Sequence, residues 1–153
     1  MITLSSSKTT HLLLCGYELT SPIAVQINTG ERMMMDGSCL CGSVTYTVAQ
    51  EITVIDCCHC LTCRKSHSSA FAMGVTVKAE NFQITQGKEL ISEFKSSVNK
   101  ARTFCSACGS QLFSYNPGVP ENIRLRPALL NVDLNRFEYR HVNTDNSIHM
   151  PAF

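Results

Sequence analysis

Nine cysteines in 153 residues, eight of them gathered into three short stretches, constrain this chain more than any other feature. The stretches are Cys39-Leu40-Cys41-Gly42, Cys57-Cys58-His59-Cys60-Leu61-Thr62-Cys63 and Cys105-Ser106-Ala107-Cys108-Gly109. Two cysteines on a tight turn supply half of a tetrahedral zinc site, with sulfur about 2.3 Å from the ion. Glycine directly after Cys41 and Cys108 suits such a turn, because it accepts positive φ and lets backbone N–H groups swing toward the thiolates. Pairing Cys39 and Cys41 with Cys105 and Cys108 is then the economical arrangement. It gives a closed tetrathiolate zinc site, which is structural because it has no room for substrate.

The middle stretch differs. It offers Cys58, Cys60 and Cys63 with no obvious fourth partner, and three protein ligands with an open position is how a catalytic zinc is held. A second structural site, completed by Cys57 or by a histidine, is the alternative. Adjacent cysteines chelate one tetrahedral ion awkwardly, so Cys57 reads as a strand-end residue turned toward the core. His59 lies between ligands and should point the other way, as a packed or supporting residue. His67 is either a cap on the site or an exposed loop residue.

Cysteine usage depends on compartment. The apolar run Leu12–Cys15 is far too short to span a membrane or to serve as a secretory core. A cytoplasmic setting is therefore expected, where disulfides are disfavoured and thiols serve metals or catalysis. A net charge of +1 and the lack of any Lys/Arg block give no general attraction to nucleic acid or to an anionic membrane.

A chain of this length suits one domain with a real core. Residues 1–35 read as an N-terminal extension, with Ile23, Val25 and Ile27 alternating like a short strand. Met33–Met35 form either an apolar plug or alternative starts of translation. Residues 36–153 read as the zinc-binding domain, and the pattern there is β. Ser43–Val48 alternates Val44, Tyr46 and Val48 with Ser and Thr, the period of a half-buried strand. Glu51–Ile55 is expected to pair with it. Further strands are expected at Ala70–Val77, Phe82–Thr85, Leu90–Lys95, Ala101–Phe104, Gln111–Tyr115, Ile123–Leu130 and Phe137–Val142. Gln86–Gly87 and Pro117–Gly118 read as turns. Leu61–Ser66 is expected to make one helical turn. The fold class is mainly β, with cysteine-bearing loops.

GSCLCGSVTYTV (Gly37–Val48), CHCLTCRK (Cys58–Lys65) and FCSACGSQLF (Phe104–Phe113), in that order, resemble the glutathione-dependent formaldehyde-activating enzyme and centromere protein V family. The resemblance covers about Asp36 to Asp133. It implies an Mss4-like folded β-sheet, a "tent" held by zinc. It further implies two zinc ions per chain: a structural one on Cys39, Cys41, Cys105 and Cys108, and a catalytic one on Cys58, Cys60 and Cys63. The implied chemistry is a carbon–sulfur lyase reaction, in which glutathione or a similar thiol is activated and added reversibly to formaldehyde. A free thiol has a pKa of about 8.5, so a downward shift of about two units, worth about 2.7 kcal/mol, makes thiolate the major form at neutral pH. Arg64 is expected either to serve the reaction, by pairing with a substrate carboxylate or offsetting thiolate charge, or to be a surface or fold-supporting residue; Lys65 and Arg102 are weaker candidates. A non-catalytic zinc-stabilised binding module of the same fold is the competing reading. The chain has no Trp, and the stretch after Val142 is short and polar, whereas family members usually continue into an aromatic-rich segment.

Overall fold

The computed structural model describes residues 33–148; the expected extension over residues 1–32, with its Ile23–Ile27 alternation, and residues 149–153 lie outside the described residues. The mainly β class expected from the alternation is the one observed. A three-stranded antiparallel sheet is ordered β1 (Met35–Ser38), β2 (Thr45–Val48), β5 (Phe82–Gln86). A seven-stranded sheet is ordered β10 (Glu138–Val142), β3 (Val54–Cys58), β4 (Ala72–Lys78), β9 (Val119–Leu125), β8 (Gln111–Asn116), β7 (Lys100–Cys105), β6 (Ile91–Ser97). Within it β10 runs parallel to β3, and the other neighbours are antiparallel. Helix α1 (Leu61–His67) follows β3 directly.

Strand alternation gives the larger sheet two unlike faces. One face carries Ile55, Val75, Val77, Ile123 and Leu125, which pack with Tyr46 and Val48 of the small sheet and with Met35. That is the main core. On the other face the residues directly opposite one another are mostly polar: Asp56 opposes Gly74, Thr76 opposes Arg124, Arg124 opposes Ser114, and Ser114 opposes Arg102. Directly opposed residues share a face, so this row stays together. Arg124 Nη1–H and Arg140 Nε–H each donate to the Asp56 carboxylate at 2.7 Å, tying β9 and β10 to β3. Gly74 makes the first tie possible, since a Cβ there would stand 2.5 Å from Arg124 Nε.

Three local expectations change. Glu51–Ile55 does not pair with Ser43–Val48: β3 lies between β4 and β10, while β2 lies between β1 and β5. Alternation reveals which face of a strand is buried, not which strand lies beside it. The strand expected over Ile123–Leu130 begins earlier, at Val119, and stops at Leu125; Pro127, which has no N–H to donate, opens a 3-10 turn instead. The single helical turn becomes a seven-residue helix that ends on Ser68 in a left-handed conformation, φ 49°. Of the methionine run only Met35 enters the core, and Met33 and Met34 are exposed.

Candidate metal centres

The two outer cysteine turns share one construction. The Cys39 N–H donates to the Val44 carbonyl and the Gly42 N–H to the Cys39 carbonyl; the Cys105 N–H donates to the Ser110 carbonyl and the Gly109 N–H to the Cys105 carbonyl. Both glycines take left-handed backbone, φ 74° and 76°. The turns meet, held by a bond from the Leu40 N–H to Ser110 Oγ at 3.0 Å. The sulfurs of Cys39, Cys41, Cys105 and Cys108 then lie within 4.8 Å of one another. Neighbouring separations are 3.4 Å for Cys39–Cys41 and 4.0 Å for Cys41–Cys105. Around a tetrahedral zinc with bonds of about 2.3 Å, sulfurs stand about 3.8 Å apart. Four soft donors at that spacing fit the ion.

The surroundings favour the thiolate at two of these cysteines. Cys108 is pulled down to about 5 by the Ser110 hydroxyl and then by the Ser110 backbone. Cys41 is lowered by the Ser43 hydroxyl and backbone. Cys105 runs the other way, pushed up to about 11 chiefly by burial.

The central trio comes from one strand end and one helix start. Cys58 closes β3, Cys60 precedes α1, and Cys63 lies in its first turn. The three sulfurs lie within 4.8 Å of one another, half-buried, and no fourth described His, Cys, Asp or Glu joins them. Cys57 is elsewhere: 1% exposed on the core face, its thiol raised by burial. Burial and the neighbouring Cys60 and Cys58 push Cys63 up to about 11. Cys60 is raised by burial but lowered more by the Cys63 backbone and by the Cys63 and Cys58 side chains, so it ends below its ordinary value. All eight cysteines among the described residues carry free thiols.

His59 turns away from the trio, as its position between ligands required. It is buried against Phe71 and stands 2.7 Å, Nε2 to Nδ1, from His141. His67 sits at the end of α1 and is not grouped with the thiols. Burial, then Arg126 and Arg102, hold it down to about 4. Arg64 donates from Nη1 to the Asn146 carbonyl at 3.0 Å, which straps the segment after β10 against α1. Lys65 and Arg102 both line a groove of about 680 Å³ between α1 and β6–β8, with Leu61, Phe94 and Phe104 as apolar walls.

Several residues of this region were not singled out in the sequence. Asn143, left-handed at φ 56°, donates Nδ2–H to Cys58 Sγ at 3.2 Å. No spacing links the two, because they lie 85 residues apart. Arg126 had a readable signal: it is a charged residue in the apolar run Leu125–Leu130 and proves 7% exposed. Its Nη2–H donates to Ser114 Oγ at 3.1 Å. Burial and then Arg102 lower it to about 10, while the Cys63 and Cys58 thiols oppose the shift.

Comparison with known proteins follows the same residues. Residues 34–144 match the profile of a family described as glutathione-dependent formaldehyde-activating enzyme. A Halomonas elongata protein, provisionally named as such an enzyme, is 28% identical over 111 residues, covering 68% of this chain and 70% of that protein. An uncharacterised lyase of Schizosaccharomyces pombe is 35% identical over 85 residues, covering 54% of this chain and 59% of the yeast protein. This chain therefore spans less than two thirds of that second relative. A crystal structure of a Rhodobacter sphaeroides protein aligns with a TM-score of 0.56 at 20% identity, covering 69% of this chain and 99% of that one, which shows a shared fold. No helix among the described residues is long and apolar enough to cross a membrane.

Proposed function

Because the chain belongs to the glutathione-dependent formaldehyde-activating enzyme family, we propose that it is a zinc-dependent carbon–sulfur lyase. It would add a thiol, glutathione or a similar one, reversibly to a small aldehyde. One observation carries this function: Cys58, Cys60 and Cys63 converge as a set of three, while Cys39, Cys41, Cys105 and Cys108 converge as a closed set of four. The four would hold a structural zinc and the three a second one. Zinc at the three-thiol centre would act as a Lewis acid with an open position, lowering the pKa of an incoming thiol by binding it as thiolate.

In the forward direction the substrate sulfur forms a bond to the carbonyl carbon, the π pair passes to oxygen, and the thiol proton ends on that oxygen. The reverse breaks the same carbon–sulfur bond. The chain's own residues prepare this. Asn143 holds the Cys58 sulfur through its amide N–H. Arg64 anchors the segment that bears Asn143 by donating to the Asn146 carbonyl. Leu61, Phe94 and Phe104 give the adjoining groove apolar walls against which the organic body of a substrate can pack.

Metal counting on the full chain, with calorimetric titration against glutathione, tests this. The expected outcome is two zinc ions, one for each cysteine set, with the central one released by mild chelation. Glutathione binding should disappear with that ion and in Cys60→Ser. A single tightly held zinc, or two zincs with no affinity for small thiols, would replace the enzyme by a zinc-stabilised binding module.

A further inference from the structure

The polar face of the larger sheet carries more positive charge than its described neighbours balance. The ion pairs among the described residues all use one carboxylate, Asp56, with Arg124 and Arg140. Arg102 and Arg126 have no carboxylate partner among those residues, although both are buried, at 5% and 7% exposed. Each keeps a buried nitrogen without a described hydrogen-bond partner: Nη1 of Arg102 and Nε of Arg126.

The two side chains flank one point. Arg126 Nη2–H donates to Ser114 Oγ, and Arg102 directly opposes Ser114 across the β7–β8 ladder. Lys100, two residues before Arg102 on β7 and so on the same face, is lowered by burial, by Arg126 and by Arg102. Burying a guanidinium without an anion is strongly unfavourable. The bonds that are made do not remove that cost. Arg102 Nε–H donates to the neutral Ser96 hydroxyl, and Arg126 Nη1 stands 3.5 Å from the Met73 carbonyl. The central thiols do not balance the charge either. Three thiolates on a divalent ion leave one net negative charge, against two guanidiniums and Lys100.

Space for an anion adjoins them. Arg102 lines the groove of about 680 Å³ under α1. Arg126 and His67 line a cavity of about 450 Å³ that shares Gln111 with it. Cys58 lies on the same sheet face as this pair, because it alternates with Cys57, and α1, one wall of the groove, bears Cys63.

Resting on the thiol-addition reading for what reacts there, we propose that Arg102 and Arg126 form a buried carboxylate-binding subsite beside the three-thiol centre. It selects reactants with a carboxylate a few bonds from the reacting atom. A planar carboxylate matches the guanidinium fork, and an apolar-walled groove suits a monoanion with a short organic body. The carboxylate can arrive on the thiol or on the aldehyde, the latter then being an oxo-acid.

Calorimetric titration of the full chain with propionate, against neutral propionamide, reads the subsite without any thiol chemistry. Propionate should bind and propionamide should not. Arg102→Met and Arg126→Met should each weaken propionate about tenfold or more, with Arg102→Lys intermediate. Thiol-addition rates then identify the carrier. The pairs are 3-mercaptopropionate against 2-mercaptoethanol, with formaldehyde, and glyoxylate against acetaldehyde, with 2-mercaptoethanol. A preference for the acid in one pair, lost in Arg102→Met, assigns the carboxylate to that reactant; no preference in either pair overturns its role in selection. Propionate binding by a chain that adds no thiol supports the subsite and overturns the lyase reading instead. Equal binding of propionate and propionamide by the unmodified chain, or propionate binding that survives both Met variants, overturns the subsite and leaves the lyase reading untouched.

Discussion

Cys57 and Cys58 are sequence neighbours in opposite environments. Cys57 faces the core between apolar strands, and Cys58 faces the polar side, where Asn143 reaches it. Cys57→Ser should therefore cost about 1–3 kcal/mol, the penalty of a buried hydroxyl without a partner, and leave the metal content unchanged. Cys58→Ser should do the reverse, losing one metal with little loss of stability. Urea unfolding together with metal counting on both variants separates the two. His67 gives a pH signature. Folded, it resists protonation down to about 4, against an ordinary value of 6.5, because burial and then Arg126 and Arg102 disfavour its charge. The unfolded chain takes up that proton first, so stability should fall as pH drops from 6.5 and level off near 4. The difference in urea midpoint between the parent and His67→Gln, followed across that window, should track this loss. A flat difference would place His67 in solvent.

At the level of elements, β3 organises the site. It ends in a ligand candidate, feeds α1, and through Asp56 holds its neighbour β10 and, across β4, the strand β9. Gly74 on β4 is the counterpart of that arrangement, since Arg124 crosses it to reach Asp56. Gly74→Ala should displace the Arg124 side chain and destabilise the fold by about 1–3 kcal/mol. In the Asp56→Asn background the same change should cost less, because the ion pair it disturbs has already been weakened. A double-mutant cycle by urea unfolding checks this, and strict additivity would show that Gly74 and Asp56 act independently. The β7–β8–β9 ladder plays a comparable part for the cations, setting Arg102, Ser114 and Arg124 in one row.

Over the whole molecule the two cysteine sets do different work. The outer set joins residues far apart in sequence, Cys41 and Cys105 being 64 positions apart. Binding an ion there closes a long loop and contributes directly to folding free energy. The central set spans only Cys58 to Cys63, so an ion there closes almost nothing. Cys105→Ser should therefore unfold the domain or lower its melting temperature steeply, while Cys60→Ser should melt close to the parent. Circular dichroism melts read both, and equal losses would make the central set structural too.

The cysteine spacings, the glycines that follow two of the pairs and the β alternation were legible in the sequence by itself. Each is a local property, set by a few consecutive residues and the geometry of one turn or one strand. Ligand geometry also set Cys57 apart from Cys58 before any strand was paired, because adjacent cysteines chelate one tetrahedral ion awkwardly. What the tertiary structure decided is everything that needs a neighbour from afar: β3 beside β10 rather than β2, Asn143 on Cys58, Arg64 on the tail, and Arg102 and Arg126 on either side of Ser114. Strand order depends on long-range pairing, and a sequence pattern records which face a residue turns inward but not whose side chain it will meet there.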